Sequence, residues 1–482
     1  MRQPREDRAL YYRQVRDTIS SVLLPELQSA QAIDAAGLLD RILVEFIVEE
    51  EAAAELSAAY GAAFEASLRP GSKAEGRVVT PAQFDDLRAE AASLAQSGAD
   101  VDMARNVVEV EHRFLERLEE LRRAVQAQGG TRDGPGPSGH GCSITAEQLT
   151  AYLRGRLAHS PDVVVESMAV VPGGRSKETI LVSLRDTGEL PHEVIVRKDR
   201  PVGLLETRAV DEFAVIDAVH TFGGVPVPEP FFAEPEGHAL GEGTFLVMER
   251  VPGHKAGEFF PDLAAPAHDQ VELGRQLAAS LARLHSLPLD HLGRTHLDIA
   301  HATVTVDSTV AMVEAIMGRI DGLTGPPNVT AQMAGRWLLA HVAFVVPPSR
   351  LCLLQGDFGF HNMLIDRGSV TALVDWEAAS IGPPARELAA AWNVATFLMD
   401  WPSFVAAYLE AGGRVEDTDP RAIIFYRVLM ALGGLMTSKM GGHLFRTGTK
   451  RDLLTAHSGL DSSFRCARNL ARAYADATAL SD

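Results

Sequence analysis

Residues 355–362 read Gln-Gly-Asp-Phe-Gly-Phe-His-Asn, and residues 373–377 read Leu-Val-Asp-Trp-Glu. Each stretch adjoins a short apolar run that is typical of a buried strand. The spacing predicts Asp357 and Asn362 on one loop, five residues apart, and Asp375 thirteen residues further on at the end of the next strand. A carboxylate that orients a hydroxyl group and accepts its proton, together with an amide and a second carboxylate that bind Mg²⁺, is what phosphoryl transfer requires.

These two stretches resemble the catalytic loop and the metal-binding segment of the aminoglycoside phosphotransferase family, whose loop usually reads His-Gly-Asp-x-x-x-x-Asn. The resemblance covers about residues 143–440. It implies that Asp357 is the catalytic base, that Asn362 is a magnesium ligand and that Asp375 is the main magnesium ligand. It also implies ATP and Mg²⁺ as cofactors and a hydroxyl group of a small molecule as the phosphate acceptor.

The chain departs from the family pattern at two positions. Gln355 stands where the family usually has His, and because a Gln side chain both donates and accepts hydrogen bonds, we expect it to brace the loop instead. Pro383 stands where the family usually has Asp, a change that we expect to alter the substrate side of the site. His361, next to Asn362, is expected to be a packing or loop residue rather than an acid or base.

The resemblance places the cover of the nucleotide phosphates in a turn between two candidate strands. This turn contains Gly173, Gly174 and Ser176, and it resembles the family's glycine-containing hairpin. Glycines allow a backbone to approach phosphates closely, and Ser176 and Lys177 can add polar contacts. Taken alone, a Gly-Gly turn is more often an ordinary hairpin.

Further nucleotide contacts are implied by the order of the segments. Arg197 ends a β-rich run that resembles the strand carrying the kinase lysine, and the planar fork of its guanidinium suits phosphate. Lys198, the next residue of the same strand, should face the opposite side of the sheet. Glu212, on a predicted helix, matches the carboxylate that pairs with this cation. Backbone groups around Glu249 and Val251 resemble the hinge that binds the nucleobase.

Patterns along the chain predict four parts. Residues 1–128 show apolar spacing of three and four, which indicates an all-helical N-terminal domain. Residues 129–142 are rich in Gly and Pro, which predicts a flexible linker. Residues 143–250 are predicted to form a small strand-rich N-lobe, and residues 251–482 a larger helical C-lobe with the catalytic loop. With the resemblance, this order implies an α+β, bilobal protein-kinase-like fold behind the helical domain.

Composition limits the classes of function. The 482 residues carry a formal net charge of −19, which argues against non-specific nucleic-acid binding because phosphate contacts need clustered Lys and Arg. The three cysteines are far apart, so neither a disulfide framework nor a zinc site is expected. No secretory signal and no membrane span is expected from the sequence, so the predicted location is the cytoplasm. The oligomeric state is left open.

Three functions remain open at this level. A hydroxyacyl-CoA or related metabolite is the preferred acceptor, because Val-Pro-Val-Pro at 225–228 is shared with phosphotransferase-like domains found with acyl-CoA dehydrogenases. An aminoglycoside or macrolide antibiotic is the second candidate, and the acidic charge mildly favours such cations. The third is a nucleotide-binding pseudokinase that acts as a scaffold. A protein kinase is disfavoured because no Ala-Pro-Glu segment follows Asp375.

Overall fold

The computed structural model describes residues 5–27, 30–69, 79–97, 101–128, 142–171, 177–199, 207–236, 240–241, 243–257, 270–299, 301–323, 328–449, 453–457, 459 and 463–481. Within these ranges the chain has an α+β, bilobal kinase-like fold preceded by a helical region, as the sequence predicted. Of the predicted linker, residues 129–141 lie outside the described residues.

In its described residues the N-terminal region contains four α-helices, which are α1 (Arg5–Thr18), α2 (Ala30–Leu68), α3 (Pro81–Ser97) and α4 (Val101–Gln128). Aromatic side chains from α2, α3 and α4 pack around Phe84, whose ring lies edge to face with Phe64 at a centroid distance of 5.4 Å and is tilted against Phe114 at 5.1 Å. Such rings bury a large apolar area each, so this cluster holds the three helices together.

The small lobe is a five-stranded antiparallel sheet in the order β1-β2-β3-β5-β4, with one helix before the sheet and one within its connections. Its elements are α5 (Ala146–Arg156), β1 (Val164–Val170), β2 (Lys177–Arg185), β3 (Glu193–Asp199), α6 (Ala209–Phe222), β4 (Pro230–Glu234) and β5 (Phe245–Glu249). Alternate residues of β2 (Ile180, Val182 and Leu184) are buried against α5, which is the period expected of a strand with one covered face.

The large lobe is mainly helical, with short strands beside the catalytic loop. Its helices are α7 (Gln270–His285), α8 (Val306–Asp321), α9 (Val329–Ala340), α10 (Pro384–Leu398), α11 (Trp401–Glu410), α12 (Pro420–Arg446), α13 (Leu453–His457) and α14 (Ser463–Ser481). Its strands pair in the orders β6-β8-β9 and β10-β7, and they are β6 (His254–Lys255), β7 (Cys352–Leu354), β8 (Met363–Asp366), β9 (Ser369–Leu373) and β10 (Ser380–Gly382).

Among the described helices, α12 is the one whose length and apolar composition would suit a membrane span, but 56% of its apolar stretch is buried inside the protein. That degree of burial is typical of a core helix, so this finding is weak evidence for a membrane.

The N-terminal helices dock on the large lobe rather than standing apart from it. The buried carboxylate of Glu111, on α4, accepts hydrogen bonds from the hydroxyl and backbone N–H of Thr330 at the start of α9. Its other oxygen lies 3.0 Å from Arg88 on α3. On the surface, Arg472 of α14 makes a two-pronged ion pair with Glu116. Glu111 therefore ties α3 and α4 to the large lobe through one buried group.

We expect Glu111→Ala to lower the free energy of unfolding by about 2–3 kcal/mol, because it leaves Arg88 and the polar groups of Thr330 buried without their acceptor. Glu109→Ala is the matched control, since Glu109 lies on the same helix, is 69% exposed and pairs loosely with Arg113. Its effect should stay within about 0.5 kcal/mol. Urea unfolding measures both, and equal effects would mean that Glu111 does not carry the docking.

Candidate active site

The catalytic loop begins with a sharp turn at Gly356, directly after β7. Gly356 has a φ of +88°, and a Cβ at this position would collide with the carbonyl oxygen of Ala378. Only glycine adopts this backbone conformation without strain and also leaves room for the neighbouring chain. The turn therefore brings the loop close to the segment that follows Asp375.

The carboxylate of Asp357 lies at the centre of the loop and is 43% exposed. Its Oδ2 accepts a hydrogen bond from Nδ2 of Asn362 at 2.9 Å and lies 3.0 Å from Nε2 of His361. Nδ2 of Asn362 also donates to the backbone carbonyl of Asp357 at 2.9 Å. Because its amide nitrogen is committed to Asp357, Asn362 has Oδ1 as the atom with which it can bind a cation.

The twelve residues between Asn362 and Asp375 contain a β-hairpin. Met363 of β8 pairs with Leu373 of β9, and the backbone N–H of Val374 donates to the carbonyl of Asn362 at 2.9 Å. Residues that flank paired positions lie side by side, so the hairpin brings Asn362 next to the segment that carries Asp375. This pairing is the structural reason for the spacing seen in the sequence.

Asp375 has a φ of +61°, which is unusual for a residue other than glycine. Asp tolerates this left-handed conformation better than most residues, and such outliers concentrate at functional sites. The conformation directs the chain so that Trp376 is fully buried while the Asp375 side chain keeps 32% exposure.

Gln355 joins the catalytic loop to the Asp375 segment. Its Nε2 donates to the backbone carbonyls of Val374 at 3.2 Å and Asp375 at 2.8 Å, and its Oε1 accepts from the backbone N–H of Asp357 at 2.9 Å. A side chain with both a donor and an acceptor is needed for all three bonds. Gln355 is thus positioned to brace the loop, which is the role expected from its place in the sequence.

Glu387, near the start of α10, binds the backbone of the same loop. Its carboxylate accepts hydrogen bonds from the backbone N–H groups of Gln355 and Gly356. The side chain is almost fully buried, and burial raises its pKa to about 7 despite those two hydrogen bonds.

A buried group of charges lies between the two lobes. Arg197 of β3 donates from one terminal nitrogen to Oδ1 of Asp375 at 3.0 Å, and its Nε lies 3.3 Å from Oε2 of Glu212 on α6. Oε1 of Glu212 accepts from the backbone N–H of Trp376 at 3.2 Å. Burial raises the pKa of Glu212 to about 6, against the opposing attraction of Arg197.

Lys177 is a second cation in this group. Its Nζ lies 2.9 Å from Oε2 of Glu377, 2.8 Å from the carbonyl of Thr207 and 4.0 Å from Oε2 of Glu212. The hydroxyl of Thr207 in turn donates to the carbonyl of Glu377 at 2.9 Å. These contacts connect strand β2 of the small lobe to the segment that follows Asp375.

The arrangement fits a metal–nucleotide complex. Mg²⁺ in phosphotransfer sites is usually held by one or two protein groups, with phosphates and water completing the octahedron. Asn362 and Asp375 carry oxygen donors of the type such a pair needs, and within the described ranges no set of three or more His, Cys, Asp and Glu side chains is grouped to hold a metal alone. Gly173, Gly174 and Ser176 lie in residues 172–176, outside the described residues.

The segment predicted as the hinge ends β5. The backbone N–H of Glu249 donates to the carbonyl of Glu229 at 2.8 Å, and the Glu249 carboxylate accepts from the N–H of Glu229 at 3.1 Å. Because the backbone N–H of Glu249 already donates to Glu229, a nucleobase at this segment would be bound by the remaining backbone groups around Val251.

The structure adds residues that the sequence analysis undervalued. His361 contacts the Asp357 carboxylate rather than serving only to pack, and a His four residues after the Asp on a tight loop was the available signal. The sequence analysis gave Glu387 no role, whereas the structure shows its carboxylate accepting from the backbone N–H groups of Gln355 and Gly356. Strand β8 was missed, although Asp-Arg-Gly at 366–368 marks a hairpin turn, with positive φ at Arg367 and Gly368.

A kinase-like fold with a braced Asp–Asn loop, an opposing carboxylate and a buried cation defines a phosphotransferase. A model of the phosphotransferase enzyme family (APH) matches residues 167–425, more than half of the chain. The chain therefore belongs to this family. Its members are kinases that act on hydroxyl groups of small molecules.

The individual proteins that resemble this chain share only low sequence identity with it. Acyl-CoA dehydrogenase family member 11 from Homo sapiens is 27% identical over 202 residues, and the protein of the same name from Pongo abelii is 26% identical. The match covers 40% of this chain and 24% of either relative, so the chain spans about a quarter of the length of these curated proteins. A crystal structure of a candidate aminoglycoside phosphotransferase from Ralstonia eutropha shares the fold, with 16% identity, a TM-score of 0.51, and coverage of 69% of this chain and 99% of that one.

We expect Gln355→Glu to disrupt the site while preserving side-chain size. The new carboxylate oxygen would face the carbonyl oxygens of Val374 and Asp375, which accept and cannot donate. The predicted result is a fall in kcat of about 10-fold or more, together with a loss of about 1–3 kcal/mol in the free energy of unfolding. Gln355→His should retain more of both. Equal behaviour of the two variants in steady-state kinetics and urea unfolding would contradict the bracing role.

Glu387 should give the protein a distinct pH dependence. Its folded pKa of about 7 lies above the ordinary value of 4.5, so its stabilising contribution is present below pH 4.5 and is lost as pH rises through 7. Relative to Glu387→Gln, we expect wild-type protein to lose about 2–3 kcal/mol of unfolding free energy between pH 5 and pH 8. Urea unfolding across that range tests it, and a difference that does not change with pH would refute the raised pKa.

Proposed function

We propose that this protein is an ATP- and Mg²⁺-dependent kinase that phosphorylates a hydroxyl group of a small molecule. The single observation that carries the proposal is the convergence of Asp357, Asn362 and Asp375, brought together by the β8–β9 hairpin and the Gln355 brace. The half-exposed Asp357 carboxylate, the adjacent Asn362 amide and the left-handed backbone at Asp375 together favour phosphotransfer over a site that only binds nucleotide.

In the proposed mechanism, Asp357 orients the acceptor hydroxyl and takes its proton. Oδ2 is held by Asn362 and His361, so the carboxylate has a fixed direction towards its exposed side. A fixed base removes part of the entropic cost of aligning the attacking oxygen with the phosphorus atom.

The side of the site that faces away from the acceptor would bind the negatively charged phosphates. Arg197, held between Glu212 and Asp375, would bind the phosphates of the nucleotide, and Asn362 and Asp375 would hold the metal. When bound, Mg²⁺ supplies neutralisation of the charge on the transferred phosphoryl group. The buried setting strengthens these interactions, because they compete less with water.

For the acceptor we propose a hydroxyacyl-CoA or a related metabolite. The support is the 202-residue similarity to acyl-CoA dehydrogenase family member 11, together with the Val-Pro-Val-Pro segment at 225–228. That segment lies beside the end of β9, where the backbone N–H of Leu373, two residues before Asp375, donates to the carbonyl of Pro226 at 2.8 Å. The net charge of −19 instead favours a cationic antibiotic, which keeps aminoglycosides and macrolides as the second candidate class.

The test is Mg²⁺-dependent release of ADP from ATP, screened against hydroxyacyl-CoAs, aminoglycosides and macrolides. We expect one acceptor class to stimulate release, and Asp357→Asn to lower kcat by about 10²–10⁴-fold because the base is lost. Asp366→Asn is the matched control: its side chain is also 43% exposed, and it lies at the far turn of the same hairpin. This control should behave like wild type.

The outcomes separate the classes of function. Stimulation that Asp357→Asn abolishes would support the kinase and name its acceptor class. Tight ATP binding without turnover, and a cellular role that survives Asp357→Asn, would favour the pseudokinase scaffold. Absence of both nucleotide binding and turnover would overturn the proposal.

A further inference from the structure

We propose that Lys177 is a second cation for the nucleotide phosphates, acting beside Arg197. This inference rests on the proposed function, because it concerns the nucleotide of that same site. It assigns to the first residue of β2 a role that phosphotransfer sites usually give to a single cation on the following strand.

Strand register brings the two cations to the same face of the sheet. Arg197 of β3 is paired with Thr179 of β2, and Lys177 lies two residues before Thr179. Residues two apart on a strand point to the same face, and diagonal neighbours across a pair lie within reach of long side chains. Lys177 also directly follows the segment 172–176, which the sequence predicts to cover the phosphates.

The burial and the contacts of Lys177 are consistent with an ammonium group that binds a further anion. Its side chain is 1% exposed, which is costly for an ammonium group unless the group is paired. Nζ makes two close contacts, with the Thr207 carbonyl and with Oε2 of Glu377. An ammonium has three N–H donors, so these two contacts leave one donor for a phosphate oxygen.

Each cation has its own carboxylate in the segment that follows β9. Arg197 contacts Asp375, and Lys177 contacts Glu377. The guanidinium of Arg197 is additionally engaged with Glu212, which limits what it can offer to a polyphosphate. The two cations and the three carboxylates of Asp375, Glu377 and Glu212 together carry one net negative charge. This charge favours the binding of a divalent cation together with the nucleotide.

Binding of ATP, ADP and adenosine, measured by titration calorimetry in EDTA, tests this role without an acceptor or turnover. We expect Lys177→Met to weaken ATP and ADP by about 10- to 100-fold, the value of one charge-assisted hydrogen bond, and to leave adenosine unchanged. Lys177→Arg, which keeps the charge, should retain most of the affinity for ATP. Lys198→Met is the matched control, since Lys198 is also buried, on β3, but faces the other side of the sheet, and this variant should bind ATP like wild type.

Glu377→Gln separates phosphate binding from a purely structural ion pair. If Lys177 acts only by holding Glu377, this variant should reproduce the loss seen in Lys177→Met; we expect it instead to bind ATP at least as tightly as wild type in EDTA. Equal weakening of ATP and adenosine in Lys177→Met would overturn the inference, as would unchanged binding of ATP. Failure of wild-type protein to bind any nucleotide, both in EDTA and in a repeat titration with Mg²⁺, would overturn the proposed function, and this inference with it.

Discussion

The site depends on the neutralisation of buried charge between the two lobes. Arg197 and Lys177 come from strands of the small lobe, whereas Asp375 and Glu377 come from the segment after β9 in the large lobe. Because an unpaired buried charge costs several kcal/mol, neither lobe can present its charges alone without that cost. The attraction that satisfies these groups also holds strands β2 and β3 against the segment that carries Asp375 and Glu377.

The catalytic loop is held by a different kind of interaction. Gln355 and Glu387 bind mainly backbone groups, and their hydrogen bonds reach the carbonyls after β9 on one side and the turn at Gly356 on the other. Backbone partners do not change with side-chain substitution, so the loop geometry can persist although Gln replaces the usual His. The replacement therefore does not by itself argue for loss of catalysis.

The N-terminal helices share a core with the large lobe and are tied to it through buried Glu111 and its contact with Thr330. A region that only tethered the kinase-like part would expose this interface instead of burying a carboxylate in it. The docking makes the helices part of the same folded unit as the large lobe. These contacts attach the N-terminal helices to α9 and α14 and do not involve the β8–β9 hairpin or the catalytic loop.

Much of the fold and of the candidate site could be predicted from the order of segments along the chain. The loop that carries Asp357 and Asn362, the later Asp375 and the β-rich run around Arg197 could be predicted from the order of motifs and their family resemblance. The helical N-terminal region could be predicted from its short-range apolar periodicity. Only the tertiary structure decided that Lys177 joins Arg197, that His361 contacts Asp357 and that Glu387 supports the turn at Gly356. Lys177 and Glu377 are 200 residues apart, and Gln355 and Glu387 are 32 apart. Contacts over such distances arise from strand register and lobe packing, which no local pattern in a single sequence encodes.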